Sequence, residues 1–455
     1  MRTNSISKVE KTTEIFRNAP IPKAVFYNII PSIVSMLMVM VYNLADTFFI
    51  GQTGNPYMVA AVSIATPAFL VFMAIGMIFG VGGTSLISRM LGEGKGDKAK
   101  NASSFCFWTG LAVGILGMVL VWILINPICS MIGTSEDTFF YTKQYLQIVS
   151  LSIPFVIVGN SFSNIIRAEG KANVAMAGMV LGNIANIVLD PVMILGFDWD
   201  VAGAAIATVI GNVVAFVFYL IHLTSKRTIL SIKLSDYSAK EKIATGVLAI
   251  GIPASINNIL MSTSNIVINN LLKGHDDMAV AGLGVAFKVN MLVVMLLIGV
   301  GTGIQPLLGY CFGAGNRKRF VGVLKFSIGL ALCMSAILTV ICYFGASGMV
   351  RAFLDNDAAY GYAFSFARIL IYSGPVLGVL FVFVNTIQAM GQAIPTLILS
   401  ISRQGIIYLP TLIAFHYIFD SPKMLVMAQP VADYLSTTLA IILFIVTFRK
   451  MKMLK

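Results

Sequence analysis

Apolar runs of about 20 to 28 residues recur along this chain from Ala24 to Phe448, and short polar joints separate them. As a helix, each run is long enough to cross roughly 30 Å of hydrocarbon. About twelve spans are expected, at 24–50, 57–84, 101–125, 143–165, 173–197, 201–224, 243–272, 279–308, 320–345, 359–386, 394–418 and 425–448. The expected fold class is therefore an all-α polytopic membrane protein. Residues 1–23 read as a polar tail, 24–224 as a first six-helix lobe, 225–242 as a linker, 243–448 as a second six-helix lobe and 449–455 as a short tail. The opening 23 residues are polar and lack the short apolar core and small-residue cleavage site of a removable leader, so the first span is expected to be retained.

Composition agrees with the pattern. Of 455 residues, 58% are hydrophobic and 11% charged, and the mean hydropathy is +0.88, whereas a soluble domain carries roughly 25% charged residues. The net charge of +12 would suggest nucleic acid in a soluble protein. Here the Lys and Arg collect in alternate joints: Arg2 to Lys23, Arg89 to Lys100, Arg167 with Lys171, Lys226 to Lys242, Arg317 to Arg319, and Arg449 to Lys455. The other set holds only Lys143, Lys273, Arg351 and Lys423. The positive-inside rule then places both termini in the cytoplasm and accounts for the charge without a nucleic-acid partner; the expected location is the plasma (inner) membrane. The five cysteines (Cys106, Cys129, Cys311, Cys333, Cys342) show no CxxC spacing and read as buried thiols.

The chain is written twice. A shift of 221 residues pairs Pro154 with Pro375, Asn164 with Asn385, Ala168 with Ala389 and Gly170 with Gly391. The same shift pairs Gly80, Gly82, Gly92 and Gly94 with Gly301, Gly303, Gly313 and Gly315. With six spans in each half, both halves enter from the same side, which makes the repeat a parallel one. Two such pseudo-symmetric lobes describe a secondary transporter working by alternating access. Spacings such as Gly178 with Gly182 let helices approach closely. Prolines inside spans (Pro31, Pro67, Pro154, Pro191, Pro253, Pro375) each remove a backbone hydrogen bond and can bend the helix.

Charge inside the spans marks the candidate site. Asp46 and Asp190 stand within apolar sequence, where a charge costs about 2.5 to 3.5 kcal/mol on insertion scales and normally marks an ion or substrate route. Asn183, Asn186 and Asp190, spaced three and four apart, share one helical face. Asp46 lies roughly 7 Å below the far end of span one, and Asp190 and Thr208 each roughly 10 Å below the far ends of spans five and six. Those depths bring Asp46, Asn186, Asp190 and Thr208 to one level, with Asn183 and Asn43 as accessory candidates. Two carboxylates, an amide oxygen and a hydroxyl are hard oxygen ligands for Na⁺, and two close acids in low dielectric can instead hold a proton. The positions 221 after Asn186, Asp190 and Thr208 are Ile407, Thr411 and Gln429, so only the first lobe carries this set. The second lobe carries Lys288 and Arg368, and Lys288 with Asn257 and Asn265 is a candidate substrate cavity. Arg368 reads as an interfacial anchor, and Asp433 is expected near the start of span twelve.

The stretches "YNLADTFFIGQTG", "GVGGTSLISRMLGEGKGDKA", "RAEGKANVAM", "NIVLDP" and "DVAGAAIATVIGN" resemble the multidrug and toxic compound extrusion (MATE) family, in its bacterial branch related to the DNA-damage-inducible proteins. The resemblance covers nearly the whole chain. It implies two six-helix lobes and efflux of amphipathic, often cationic compounds against inward flow of Na⁺ or H⁺. It maps the family's first-lobe cation site onto Asp46, Asn186, Asp190 and Thr208, and the proline about which the first helix bends onto Pro31. The acidic residue that another branch carries in its seventh or eighth span has no counterpart here.

The expected function is thus a multidrug efflux antiporter, acting as a monomer among membrane lipids on small amphipathic molecules. It would be no enzyme and would have no cofactor beyond the coupling ion. A lipid-linked sugar flippase or a dedicated metabolite exporter of the same superfamily is the alternative. No GxxxxGK[ST] loop occurs, so direct ATP hydrolysis is not expected.

Overall fold

In a computed structural model, residues 13–240, 242–354, 357–419 and 421–451 are described. The basic positions Arg2, Lys8, Lys11, Lys452 and Lys455 of the two tails lie outside them. Among the described residues all regular structure is helical. The longer helices are α1 (Ile21–Gly51), α2 (Pro56–Gly92), α3 (Gly96–Ile123), α4 (Glu136–Ser150), α5 (Ile153–Ala168), α6 (Ala172–Pro191), α7 (Asp200–Thr224) and α8 (Ile243–Lys273). There follow α9 (Asp277–Gly313), α10 (Arg317–Arg351), α11 (Asp357–Ile371), α12 (Gly374–Ala389), α13 (Ala393–Ile401), α14 (Leu409–Phe419) and α15 (Pro422–Lys450). π-Helical segments, Val192–Gly196 and Ser402–Tyr408, extend α6 and join α13 to α14.

Among the described residues ten helices, some in two parts, are long and apolar enough to cross a membrane, or up to twelve if each of two bent pairs is one span. The protein is a multi-pass membrane protein. The bent pairs are the fourth and tenth spans, read from the sequence as unbroken runs at 143–165 and 359–386. Instead α4 meets α5 at 55° and α11 meets α12 at 50°. Pro154 and Pro375 stand in the first turns of α5 and α12 and begin a helix well but cannot continue one from the preceding turn.

The internal repeat is visible as repeated contacts. An added Cβ at Gly80 would lie 3.1 Å from Asn164 Nδ2, and one at Gly301 would lie 2.5 Å from Asn385 Nδ2. Asn164 donates to the Asn160 carbonyl and Asn385 to the Phe381 carbonyl, each at 2.9 Å. Helices α2 and α9 are capped alike: Asn55 accepts from the Tyr57 amide and Asp276 from the Met278 amide, again at 2.9 Å. Five residue pairs related by one offset thus perform one set of packing tasks in two places.

The chain divides into two compact units, and their boundaries differ from the lobes read as 24–224 and 243–448. One comprises Met1–Asn18 and Leu37–Ile252, the other Ala19–Met36 and Pro253–Lys455. The exchange is reciprocal. Within the first unit the start of α8 lies against α2, where a Cβ at Gly82 would fall 2.0 Å from the Val247 carbonyl oxygen. Within the second, the start of α1 lies against α9, where a Cβ at Gly303 would fall 2.8 Å from Ile29 Cα. Only glycine permits such backbone-to-backbone approach.

The linker also belongs to the first unit. Ile229 and Leu230 are buried, Ser104 donates to the Lys233 carbonyl at 2.7 Å, and Trp108 Nε1 donates to the Ile232 carbonyl at 3.0 Å. Its anchor is Glu169, at the joint between α5 and α6. That carboxylate is fully buried and accepts from Thr228 Oγ1 (2.8 and 3.0 Å) and the Ile229 amide (3.0 Å), with His222 Nε2 at 3.0 Å and Lys171 Nζ at 3.3 Å. Burial works to raise its pKa, but His222, Lys171, Ile229 and Thr228 together outweigh burial and hold it below the usual carboxylate value.

Candidate cation site in the first lobe

Glycines bring the site's helices together. Gly182 on α6 and Gly211 on α7 face each other so closely that a Cβ on either would lie 2.7 or 2.8 Å from the other's carbonyl oxygen. One turn away, the same approach sets Asn186 Nδ2 3.3 Å from Thr208 Oγ1, where the amide donates to the hydroxyl. Further along, the Tyr219 ring occupies the space above Gly178 and its hydroxyl donates to the Ala175 carbonyl at 2.7 Å.

Asp190 is 0% exposed, and Asn186 and Thr208 are buried beside it. With the Asn186 amide nitrogen turned to Thr208, its Oδ1 is left buried without a donor. Both Asp190 oxygens and Asp46 Oδ1 are also buried without a hydrogen-bond partner. Tyr42 and Tyr145 stand within electrostatic reach of Asp46, Asp190 and Thr208 and line the same region of the first unit. Four orphan oxygens on two acids and an amide form a strongly negative, donor-poor cradle. Desolvated carboxylates of this kind are costly unless a counter-charge or a proton joins them.

Pro191 follows Asp190 directly. Lacking an N–H, it cannot bond to the Ile187 carbonyl, and the helix continues as the π-helical turn 192–196. Among the described residues no group of three or more His, Cys, Asp or Glu side chains is assembled. Two carboxylates, one amide oxygen and one hydroxyl fit a monovalent hard cation.

Not every candidate joins this cluster. Asn183 is half-buried with an unpartnered Nδ2, and Asn43 is exposed, serving the helix through its carbonyl, which accepts from Thr47. Pro31 lies in the part of α1 that belongs to the second unit, and α1 runs through it unbroken. Ser32 and Ser35 donate back to the carbonyls of Asn28 and Pro31 at 2.9 and 2.8 Å. Lys288 is exposed, 5.5 Å from the Phe353 ring centroid, Asn257 and Asn265 are half-buried on α8, and no hydrogen bond joins these three.

Comparison with known proteins decides the family. The MatE family model matches residues 31–192 and 253–413, one match in each half of the repeat. The chain belongs to the MatE family. Multidrug export protein MepA of Staphylococcus aureus (strain NCTC 8325 / PS 47) is 32% identical over 409 residues, covering 89% of each chain. Its counterpart in Staphylococcus saprophyticus is 30% identical over 404 residues, again covering 89% of each. A solved outward-facing multidrug resistance MATE family transporter of the MOP superfamily superposes with a TM-score of 0.92 at 24% identity, over 97% of this chain and 99% of that one. A MATE in the bent conformation gives 0.90 at the same identity, over 97% and 98%. The two-lobed helical MatE fold follows from these likenesses.

The second lobe of this MatE chain holds a charge pair that the sequence reading missed. Asp433 is not at the start of its helix but eleven residues past Pro422, three turns inside α15. Arg403 Nε donates to its Oδ1 at 3.1 Å, Gln429 Nε2 donates to the same oxygen at 3.2 Å, and the guanidinium lies 5.2 Å from the Phe381 ring centroid. Under the 221-residue shift Arg403 falls on Gly182 and Asp433 on Asn212. The second lobe thus has a built-in cation where the first lobe has close-packed glycine. The signal for it in the sequence is Arg403, an arginine within the apolar run "LILSISRQGII".

Proposed function

We propose that this MatE protein is a multidrug exporter of small amphipathic, often cationic molecules, driven by Na⁺ or H⁺ bound at Asp46, Asn186, Asp190 and Thr208. The observation that carries the reading is the set of buried carboxylate and amide oxygens without donors in the first lobe. The export activity of the MepA relatives, similar over 89% of the chain, supports the substrate class.

In this reading a cation or proton enters from the side opposite the termini and neutralises the two acids, with Asn186 Oδ1 and Thr208 Oγ1 completing its oxygen ligands. Thr208 keeps the Asn186 oxygen turned inward by accepting from its nitrogen. Binding favours a bent α1, Pro31 supplying the missing hydrogen bond and Ser32 and Ser35 the competing side-chain bonds that soften the helix there. Substrate leaves on the far side by alternating access, and the protein works as a monomer in the plasma membrane with both termini in the cytoplasm. One charge moving down 100 mV supplies about 2.3 kcal/mol, enough to sustain roughly a 50-fold substrate gradient at one-to-one exchange.

Proteoliposomes under an imposed Na⁺ gradient or an imposed pH gradient, each alone, test this. Export of a fluorescent cationic dye should follow one of the two gradients and cease when it is collapsed. Export indifferent to both would overturn the antiport reading.

A further inference from the structure

Helices α10 and α11 pack against each other in the second unit. Tyr343, Ser347 and Arg351 form a stripe at steps of four on α10, and Tyr360, Phe364 and Arg368 form another on α11. The two stripes meet antiparallel, and their rings and guanidinium groups stack into one column. Arg368 Cζ lies 4.3 Å from the Tyr343 ring centroid and 4.7 Å from that of Phe364. Phe364 stacks on Tyr360 with centroids 5.9 Å apart and planes at 10°. Arg351 Cζ closes the column 5.2 Å from the Tyr360 centroid, and Ser347 Oγ lies 2.8 Å from Tyr360 Oη.

The column carries two permanent positive charges. Among the described residues neither guanidinium meets a carboxylate, and Arg368 Nε is buried without an acceptor. Aromatic faces attract a guanidinium but do not neutralise it. The fold does not require these charges: 221 residues earlier, Arg351 and Arg368 become Ser130 and Gln147, and that stripe has the single cation Lys143, over Phe139.

Depth and surroundings identify what would neutralise them. Arg351 ends α10 on the side away from the termini, and Tyr343, level with Arg368, is eight residues or about 12 Å deeper. Beside the column α10 exposes Ile337, Val340, Ile341 and Phe344, a surface suited to hydrocarbon. We propose that the α10–α11 column binds an anionic phospholipid of the leaflet away from the termini. Its phosphate sits against Arg351 and the hydroxyls of Ser347 and Tyr360. Arg368, deeper in the column, places its charge beneath the headgroup toward the glycerol ester oxygens, and an acyl chain runs down the exposed face of α10. Guanidinium forks match phosphate oxygens, and long basic side chains turn toward the interface when they start beneath it.

Native mass spectrometry on the full chain, released from bilayers of phosphatidylcholine and phosphatidylglycerol mixed equally, tests the site. The wild type should keep a tightly held phosphatidylglycerol in preference to phosphatidylcholine. Arg351→Gln with Arg368→Gln should weaken that preference by about fivefold per arginine. Should the double variant fail to fold, Arg351→Gln alone, at the exposed rim, should still lower it about fivefold. Equal retention of the two lipids by the wild type, or an undiminished preference in the variants, would overturn the proposal. So would displacement of the phosphatidylglycerol by millimolar inorganic phosphate, which would reassign the column to a small anion.

Discussion

Thr208 and Glu169 show two ways in which a single polar side chain serves this fold. Thr208 accepts from the Asn186 nitrogen and so leaves the amide oxygen of Asn186 buried and free to accept from or ligate another group. Thr208→Val should cost about 1 to 2 kcal/mol of coupling-cation affinity, a five- to thirtyfold weaker dissociation constant by calorimetry or isotope binding, with the fold retained. Glu169 instead ties the linker to the first lobe. Because its folded pKa lies below its unfolded one, the stability it confers is complete above the unfolded value, about 4.3, and declines as pH falls through the folded value. The gap in melting temperature between wild type and Glu169→Gln should therefore be constant from neutral pH down to about pH 5 and close below about pH 4. A gap that closes instead between pH 7 and 6 would assign the effect to another group. Asp190 was legible in the sequence because a carboxylate among apolar residues has few explanations. Glu169 was not, because an acid in a polar joint looks like any other solvated charge until the chain that covers it is seen.

At the level of elements, glycine pairs set the distances that the chemistry needs. A side chain at Gly211 would meet the Gly182 carbonyl and Asn186 Cβ, so α6 and α7 would have to separate at the point where Asn186 reaches Thr208. Gly211→Val should destabilise the protein by about 1 to 3 kcal/mol and weaken cation binding in step. Gly159→Ala, which meets nothing within 4 Å, should change neither. Melting curves and cation binding on both variants check this, and a tolerated Gly211→Val would show that the close approach is not needed. The spans themselves were readable, since apolar length is set by the membrane and does not depend on partners. The 55° and 50° breaks in the fourth and tenth spans were not, although Pro154 and Pro375 marked them, because a proline in an apolar run is compatible with a kink, a break or a straight helix. Nor was the exchange of the starts of α1 and α8 between the units, since an apolar face does not name the helix it packs against.

At the scale of the molecule, one sequence pattern repeated at 221 residues gives two lobes with the same caps and the same asparagine-to-glycine contacts, then fills them differently. The first lobe keeps two unpaired acids, the second an internal Arg403–Asp433 pair. That difference is the reason to place cation coupling in the first lobe alone. Gradient-driven dye export by Asp190→Asn in proteoliposomes, compared with wild type of matched folding and reconstitution, tests that placement most directly. The account predicts that export falls by about 100-fold, a loss of roughly 2.7 kcal/mol, and no longer responds to the driving gradient. Export that continues at the wild-type rate with its gradient dependence intact would contradict it.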